Sequence, residues 1–381
     1  MHVEPLQDEP LIHYHWVDTE SALEDACFQL AGHLRLAVDT EFVRTHTYYP
    51  RPGLIQVSNE DAIFLIDPSA FDTKVLQPLG ERLMHPDTQL LMHSAGEDLE
   101  IFLRLWGRLP ENLFDTQVAA GFCGFERQMG LQRLLKDALN IELSKGETRS
   151  DWLQRPLTDR QCHYAAADVR YLFELADLLV SELERQGRLE WCEEDCRKLV
   201  SRYQHKTPDD QLYLGFGGGW KMSPAQQAAL KHLACWRETL AKTEDTPKTF
   251  IAKDASLYAL VEKRPTRKNQ LNALGFQGSQ IRKYGEALLE QLDIGLKQPV
   301  PAILISRPLT KRQQARYKEL REWVRQCAEG ARLPADLLAS KAQLCEYLVV
   351  REEGRGDDSP FVGSWRHRVL EPFLNARSFS E

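Results

Sequence analysis

An apolar run, Leu34 to Val38, leads straight into two carboxylates, Asp39 and Glu41, in the stretch "LRLAVDTEF". A short run of this kind reads as a strand covered on both faces. Side chains at i and i+2 of a strand share a face, so Asp39 and Glu41 project side by side. Two negative charges so placed repel each other, and burying either one unpaired is costly. Something must neutralise them, and basic side chains and a metal ion are the two candidates.

The rest of the chain shows what kind of fold carries this strand. Its 381 residues leave room for two or three domains, each with its own core. Residues 34–38, 54–57, 62–66 and 89–93 read as strands, and residues 73–84, 96–107, 130–140 and 159 to about 186 as helices. The first three strands are close enough in sequence for antiparallel pairing and the fourth follows a helix, which predicts a mixed sheet flanked by helices. Glycine fills four of the five positions from 215 to 219 and reads as a hinge-like linker over 207–219. Beyond it everything reads helical, in two blocks at 220–296 and 305–381, with Pro299, Pro301 and Pro308 preventing one continuous helix between them. Residues 1–206 are expected to form a domain able to fold alone.

Charge separates these parts. Residues 1–219 hold 21 Lys+Arg against 37 Asp+Glu, whereas residues 220–381 hold 27 against 19. A basic helical half attached to an acidic one is a candidate nucleic-acid binder. No apolar stretch approaches the length of a membrane span, and eight cysteines in a chain this long are no disulfide scaffold. Cys192 and Cys196 read as one face of a helix. The chain is expected to be cytoplasmic, reduced and monomeric.

Two more acidic signals lie in the first half. Ser94 and Glu97 have the spacing of a capping box, which places Asp98 in the first turn of a helix. Thr158 and Gln161 make a second such box, and in the helix that follows Tyr164 and Asp168 stand one above the other with three alanines between them. Taken singly, each acid reads as a surface or capping charge. Together they suit hard divalent ions such as Mg²⁺ or Mn²⁺, which take oxygen ligands and in pairs can clamp a phosphodiester. Asp39 at the strand end can bridge two ions, Glu41 and Asp168 can complete the first, and Asp98 can hold the second. Tyr164 can orient an attacking water.

"VDTEF", "HSAGEDLE" and "YAAADVRYL" resemble the three motifs of the DEDD exonuclease superfamily in its tyrosine-bearing subclass. "AVDTEFVRTHTYYPRPGLIQV", "DTQVAAGFCG" and "RSDWLQRPLTDRQCHYAAADV" bring the likeness closer to the ribonuclease D family. The basic half resembles HRDC modules, with 220–296 matching one and 305–381 a second more loosely through "LPADLLASKAQLCEYL". The resemblance implies an RNase H-like α/β exonuclease domain followed by two all-α HRDC-type domains. It implies a 3′→5′ exoribonuclease with two divalent ions per site that trims structured RNA, typically precursor tRNA 3′ trailers, and releases nucleoside 5′-monophosphates. Catalysis then maps onto Asp39, Glu41, Asp98, Tyr164 and Asp168.

Further candidates flank the motifs. Tyr48 and Tyr49 can stack on a terminal base. His93 can approach a phosphate, although a satisfied core histidine is the simpler reading. Arg149, Trp152 and Arg155 lie beside the third motif, where an arginine can meet the substrate backbone. Two rival readings stand beside the ribonuclease: a DNA-directed 3′→5′ exonuclease with the same metal ligands, and a non-catalytic RNA-binding protein.

Overall fold

The computed structural model describes residues 12–143, 146–147, 150–355 and 358–376. They form two compact units, one made of residues up to 43, 52–204 and 309 onward, the other of residues 44–51 and 205–308.

The first unit is built on one mixed sheet. Its strands are β1 (His15–Val17), β2 (Arg35–Val43), β3 (Arg51–Ser58), β4 (Ile63–Ile66), β5 (Gln89–Met92) and β6 (Leu113–Asp115), in the order β1-β4-β3-β2-β5-β6. β1 runs parallel to β4, and β2 and β6 both run parallel to β5, while β3 and β4 are antiparallel. The period-two alternation of β2 divides the core in two. Leu36 and Val38 join Ile55, Val57, Leu90 and Met92 on one face, and Ala37 joins Leu54, Leu91 and Phe114 on the other. Helices α1 (Glu20–Leu30), α2 (Gln77–Leu83) and α3 (Gly96–Trp106) cover the first face. Helices α4 (Thr116–Cys123), α5 (Leu131–Leu139), α6 (Asp159–Arg170) and α7 (Leu172–Arg185) cover the second. α8 (Leu189–Gln204) serves both, with Cys192 and Cys196 in one core and Val200 in the other. The expected sheet flanked by helices is therefore present. Two strands of three residues, β1 and β6, were not legible as strands, and the expected helix from 159 to about 186 divides at Tyr171, whose φ −105° and ψ 6° are not helical.

In the second unit, α9 (Pro224–Thr243), α10 (Lys248–Ile251), α11 (Asp254–Lys263) and α12 (Gly278–Gly295) enclose a core of Leu230, Leu233, Ile251, Leu257, Leu260 and Leu288. Ser223 caps α9 with a complete capping box, and Pro224 takes the first helical position, as the sequence predicts. The glycine-rich stretch departs from expectation. It is no free hinge but two 3₁₀ turns that bury Tyr213, Phe216 and Met222 in the helical core. A Cβ on Gly219 would lie 2.3 Å from Ile305, so glycine is there for close packing rather than for mobility. Lys242 fixes the start of this segment by donating to both oxygens of Asp209, at 2.7 and 2.8 Å.

The final block, α13 (Lys311–Ala331), α14 (Ala335–Leu338), α15 (Lys341–Glu352) and α16 (Trp365–Ala376), belongs to the first unit. Leu320, Val324, Leu337, Leu348 and Trp365 share one continuous core with α4 to α8. Trp365 stacks on Trp191 at 5.0 Å and meets Phe122 edge-on at 5.2 Å. Both arms of Arg366 donate to Asp195 at 2.7 Å. The expectation that residues 1–206 fold alone is corrected here, because such a fragment would expose the faces of Phe122 and Trp191 that Trp365 covers. No helix among the described residues is long and apolar enough to cross a membrane.

Candidate active site

β2 delivers Asp39 and Glu41 to its C-terminal half, both half-buried, and α6 brings a buried Asp168 against them. One carboxylate oxygen from each of the three lies within 4.8 Å of the other two. The local sequence explains the approach. The Thr158–Gln161 capping box forms in full and fixes where α6 starts, and the small buried Ala165, Ala166 and Ala167 let the helix close on the sheet. Tyr164 lies one turn before Asp168 and hydrogen-bonds to it.

Asp98 arrives by a different route. It sits in the first turn of α3, as expected, but the Ser94–Glu97 capping box does not form. Ala95 is the N-cap, and Ser94 adopts the left-handed region with φ 60°. The cause is Asp115 at the end of β6, buried to 1% exposure. Its carboxylate accepts the Ser94 and Ala95 N–H groups at 3.0 and 2.9 Å and that of Gln117 at 2.8 Å, tying the start of α3 to the start of α4. Thr40, the residue between Asp39 and Glu41, donates its hydroxyl to Asp98 at 2.5 Å. Sequence reasoning passed over both Thr40 and Asp115. The only available signal was that each lies within a motif, "VDTEF" and "DTQVAAGFCG" respectively.

The electrostatics answer the question raised by Asp39 and Glu41. Burial, then the Asp168 charge, holds the Asp39 carboxyl well above the usual carboxylate range. Burial followed by Asp39, Asp168 and Asp98 pushes Glu41 up to about 10. Burial raises Asp168 to about 7, while burial and Asp39 raise Asp98 strongly. The neighbouring charges acting on Asp39, Glu41 and Asp98 are themselves carboxylates, so the cluster is built for a cation from solution rather than for an arginine or lysine. An all-oxygen anionic donor set fits a hard divalent ion. Burial and the same carboxylates raise the Tyr164 phenol far above its ordinary value, which keeps it a neutral hydrogen-bond donor.

The remaining candidates are placed elsewhere. Trp152 is 1% exposed and packs against Tyr164 at 6.1 Å, and a Cβ on Gly53 would meet its backbone oxygen at 2.5 Å. Arg155 is ion-paired to the buried Asp67 and donates to the carbonyl of Gly53 at 2.6 Å. Both expected substrate contacts are thus corrected to internal supports, because their binding groups are already occupied or covered. His93 has both ring nitrogens engaged, with the Thr116 hydroxyl and the Met129 carbonyl at 2.9 Å each, and burial lowers its pKa. Tyr48 and Tyr49 lie in the loop that belongs to the second unit, where the Tyr48 hydroxyl donates to Glu238. Arg149 lies outside the described residues.

Residues 14–184 match the 3′-5′ exonuclease family and residues 226–292 the HRDC domain family. Ribonuclease D of Musicola paradisiaca is 37% identical over 343 residues, covering 88% of this chain and 90% of the relative. Ribonuclease D of Escherichia coli K12 is 33% identical over 371 residues, covering 96% and 98%. The chain belongs to the ribonuclease D family. The crystal structure of Escherichia coli RNase D, an exoribonuclease involved in structured RNA processing, superimposes with a TM-score of 0.87 at 32% identity, covering 95% of this chain and 97% of that one. Membership in ribonuclease D makes the chain a 3′→5′ exoribonuclease, of a family dependent on divalent metal ions.

Proposed function

We propose that this ribonuclease D trims the 3′ trailers of precursor tRNA and other structured RNAs in the cytoplasm, acting as a monomer and releasing nucleoside 5′-monophosphates. The observation that carries the reading is the convergence of Asp39, Glu41 and Asp168 within 4.8 Å, with Asp98 held beside Asp39 by Thr40. Asp39, Glu41 and Asp168 would hold a divalent ion, and Asp98 beside Asp39 would serve as a ligand for a second. Such ions supply an activated water and stabilise the leaving oxygen. Tyr164 would orient a water at such a site rather than deprotonate it, because its own proton is hard to remove. Thr40 fixes the carboxylate of Asp98, while Asp115 fixes the turn from which Asp98 projects. The final block repeats the element order of the first, a long helix, one of four residues, a middle helix and a closing helix, which supports reading it as a second, divergent HRDC-type module.

The test is digestion of 3′-extended and mature tRNA by purified protein with Mg²⁺, Mn²⁺ or EDTA, with matched DNA and circular RNA alongside. Stepwise shortening of the extended tRNA to 5′-monophosphates, slowing at the acceptor stem and absent in EDTA, is expected. Blocking the 3′ hydroxyl with a phosphate should suppress it. Cuts within circular RNA would contradict the reading, and equal rates on DNA would favour the DNA-directed alternative.

A further inference from the structure

We propose that Phe250 and His46 form a platform on which unpaired nucleobases of the RNA substrate stack. Phe250 belongs to the one-turn helix α10, "KTFI", where Ile251 is fully buried and Phe250 is 48% exposed. A large aromatic turned outward beside a neighbour turned inward is not filling a core. The exposed ring of His46 meets it edge-on, with centroids 5.9 Å apart and planes at 61°. That geometry leaves ring surface on Phe250 open to a further partner.

The platform is preformed. His46 lies in the loop of residues 44–51, which packs with the helical unit. One carboxylate oxygen of Asp245 accepts the N–H groups of both Tyr48 and Tyr49 at 3.0 Å. The Tyr48 hydroxyl donates to the buried Glu238, and Arg44 Nε donates to the Tyr48 carbonyl at 3.1 Å. Tyr48, expected from the sequence to stack on a base, instead has its hydroxyl and backbone used to anchor the loop. A loop fixed in this way spends little ordering entropy when a ligand arrives.

The surroundings select the ligand. Lys253 follows Phe250 by three residues, Lys248 before it is paired with the buried Glu238 at 3.1 Å, and residues 220–308 hold 14 Lys+Arg against 8 Asp+Glu. Exposed aromatic rings on a unit with a basic excess suit the bases and phosphates of a single strand, whereas a protein partner calls for a broad apolar patch. Every base offers a π face, so the platform tolerates sequence and discriminates unpaired from paired substrate. The loop also continues the strand that carries Asp39 and Glu41, so the segment that grips bases is the one leading out of the catalytic motif.

The test is fluorescence anisotropy with the full-length protein in EDTA, so that nothing is hydrolysed, using a single-stranded oligoribonucleotide and an abasic oligomer of equal length. Phe250→Ala and Phe250→Leu should each bind the normal strand roughly 5- to 100-fold more weakly, the span expected from losing one base–aromatic stack, and Phe250→Trp should bind like the wild type. All forms should bind the abasic strand alike, and the salt slope should not change, because no phosphate contact is lost. Thermal melting checks the fold, and should the alanine variant melt early, the leucine variant decides. Wild-type affinity in Phe250→Leu, or an equal loss on the abasic strand, overturns the proposal.

Discussion

At the residue scale, the site is an unstable arrangement that its own neighbours cannot relieve. Asp39, Glu41, Asp98 and Asp168 are pushed upward in pKa by burial, and the first three also by one another or by Asp168. In the unfolded chain these groups ionise near pH 4. Between there and about 7 for Asp168, and up to about 10 for Glu41, the metal-free folded protein holds protons that the unfolded chain has released. Metal-free stability therefore falls as pH rises through that window, and is least affected below it. Divalent ions that bind the carboxylates should offset this loss. The gap in melting temperature between Mn²⁺ and EDTA should consequently be wider at pH 8 than at pH 5, and equal gaps would count against the cluster as a metal site. Thr40→Val keeps the branched shape but removes the hydroxyl that donates to Asp98. A hydrogen bond to a charged group is worth about 1.5–3 kcal/mol, so the melting temperature should fall, and hydrolysis should slow roughly 10- to 100-fold because the same contact orients Asp98. Tyr164→Phe should be milder than loss of any of the four acids, as steady-state rates on one RNA would show.

At the element scale, local signals were legible and distant ones were not. The β2 strand with its two acids, the Thr158–Gln161 box that begins α6, and the Ser223–Pro224 start of α9 each depend on residues within a few positions, and each stands where the sequence placed it. The Ser94–Glu97 box failed because Asp115, some twenty positions away, takes the N–H groups of Ser94 and Ala95 and sets the turn. β1 and β6 were too short to show alternation, and only their pairing with β4 and β5 makes them strands. The glycines of 215–219 looked like punctuation, since nothing nearby in sequence revealed Ile305 packed against Gly219. Asp115→Ala tests the same long-range dependence. It leaves several N–H groups without their acceptor and should cost at least about 2 kcal/mol by urea denaturation, with activity reduced further because Asp98 loses its support. Unchanged activity in a folded Asp115→Ala protein would show that the turn does not position Asp98.

At the scale of the whole molecule, the two helical blocks have different tasks. Residues 220–308 carry most of the basic excess, while residues 309–381 are nearly balanced, with 13 Lys+Arg against 11 Asp+Glu. The final block serves the catalytic unit as part of its core, through Trp365 against Trp191 and Phe122 and through Arg366 on Asp195. Trp365→Ala should therefore lower stability by about 3–5 kcal/mol in denaturant titrations, although Trp365 lies outside the catalytic motifs. A protein truncated after residue 308 should melt early even with Asp39, Glu41, Asp98, Tyr164 and Asp168 all present. The central claim is that hydrolysis runs through metal ions held by the acids of β2, α3 and α6. Asp39→Asn addresses it most directly, because the amide nearly matches the carboxylate in shape and lacks its charge. Measured with Mg²⁺ on a 3′-extended tRNA, this variant should melt no earlier than the wild type yet lose at least about 10³-fold in rate. A folded Asp39→Asn protein that trims the same RNA at the wild-type rate would contradict the account.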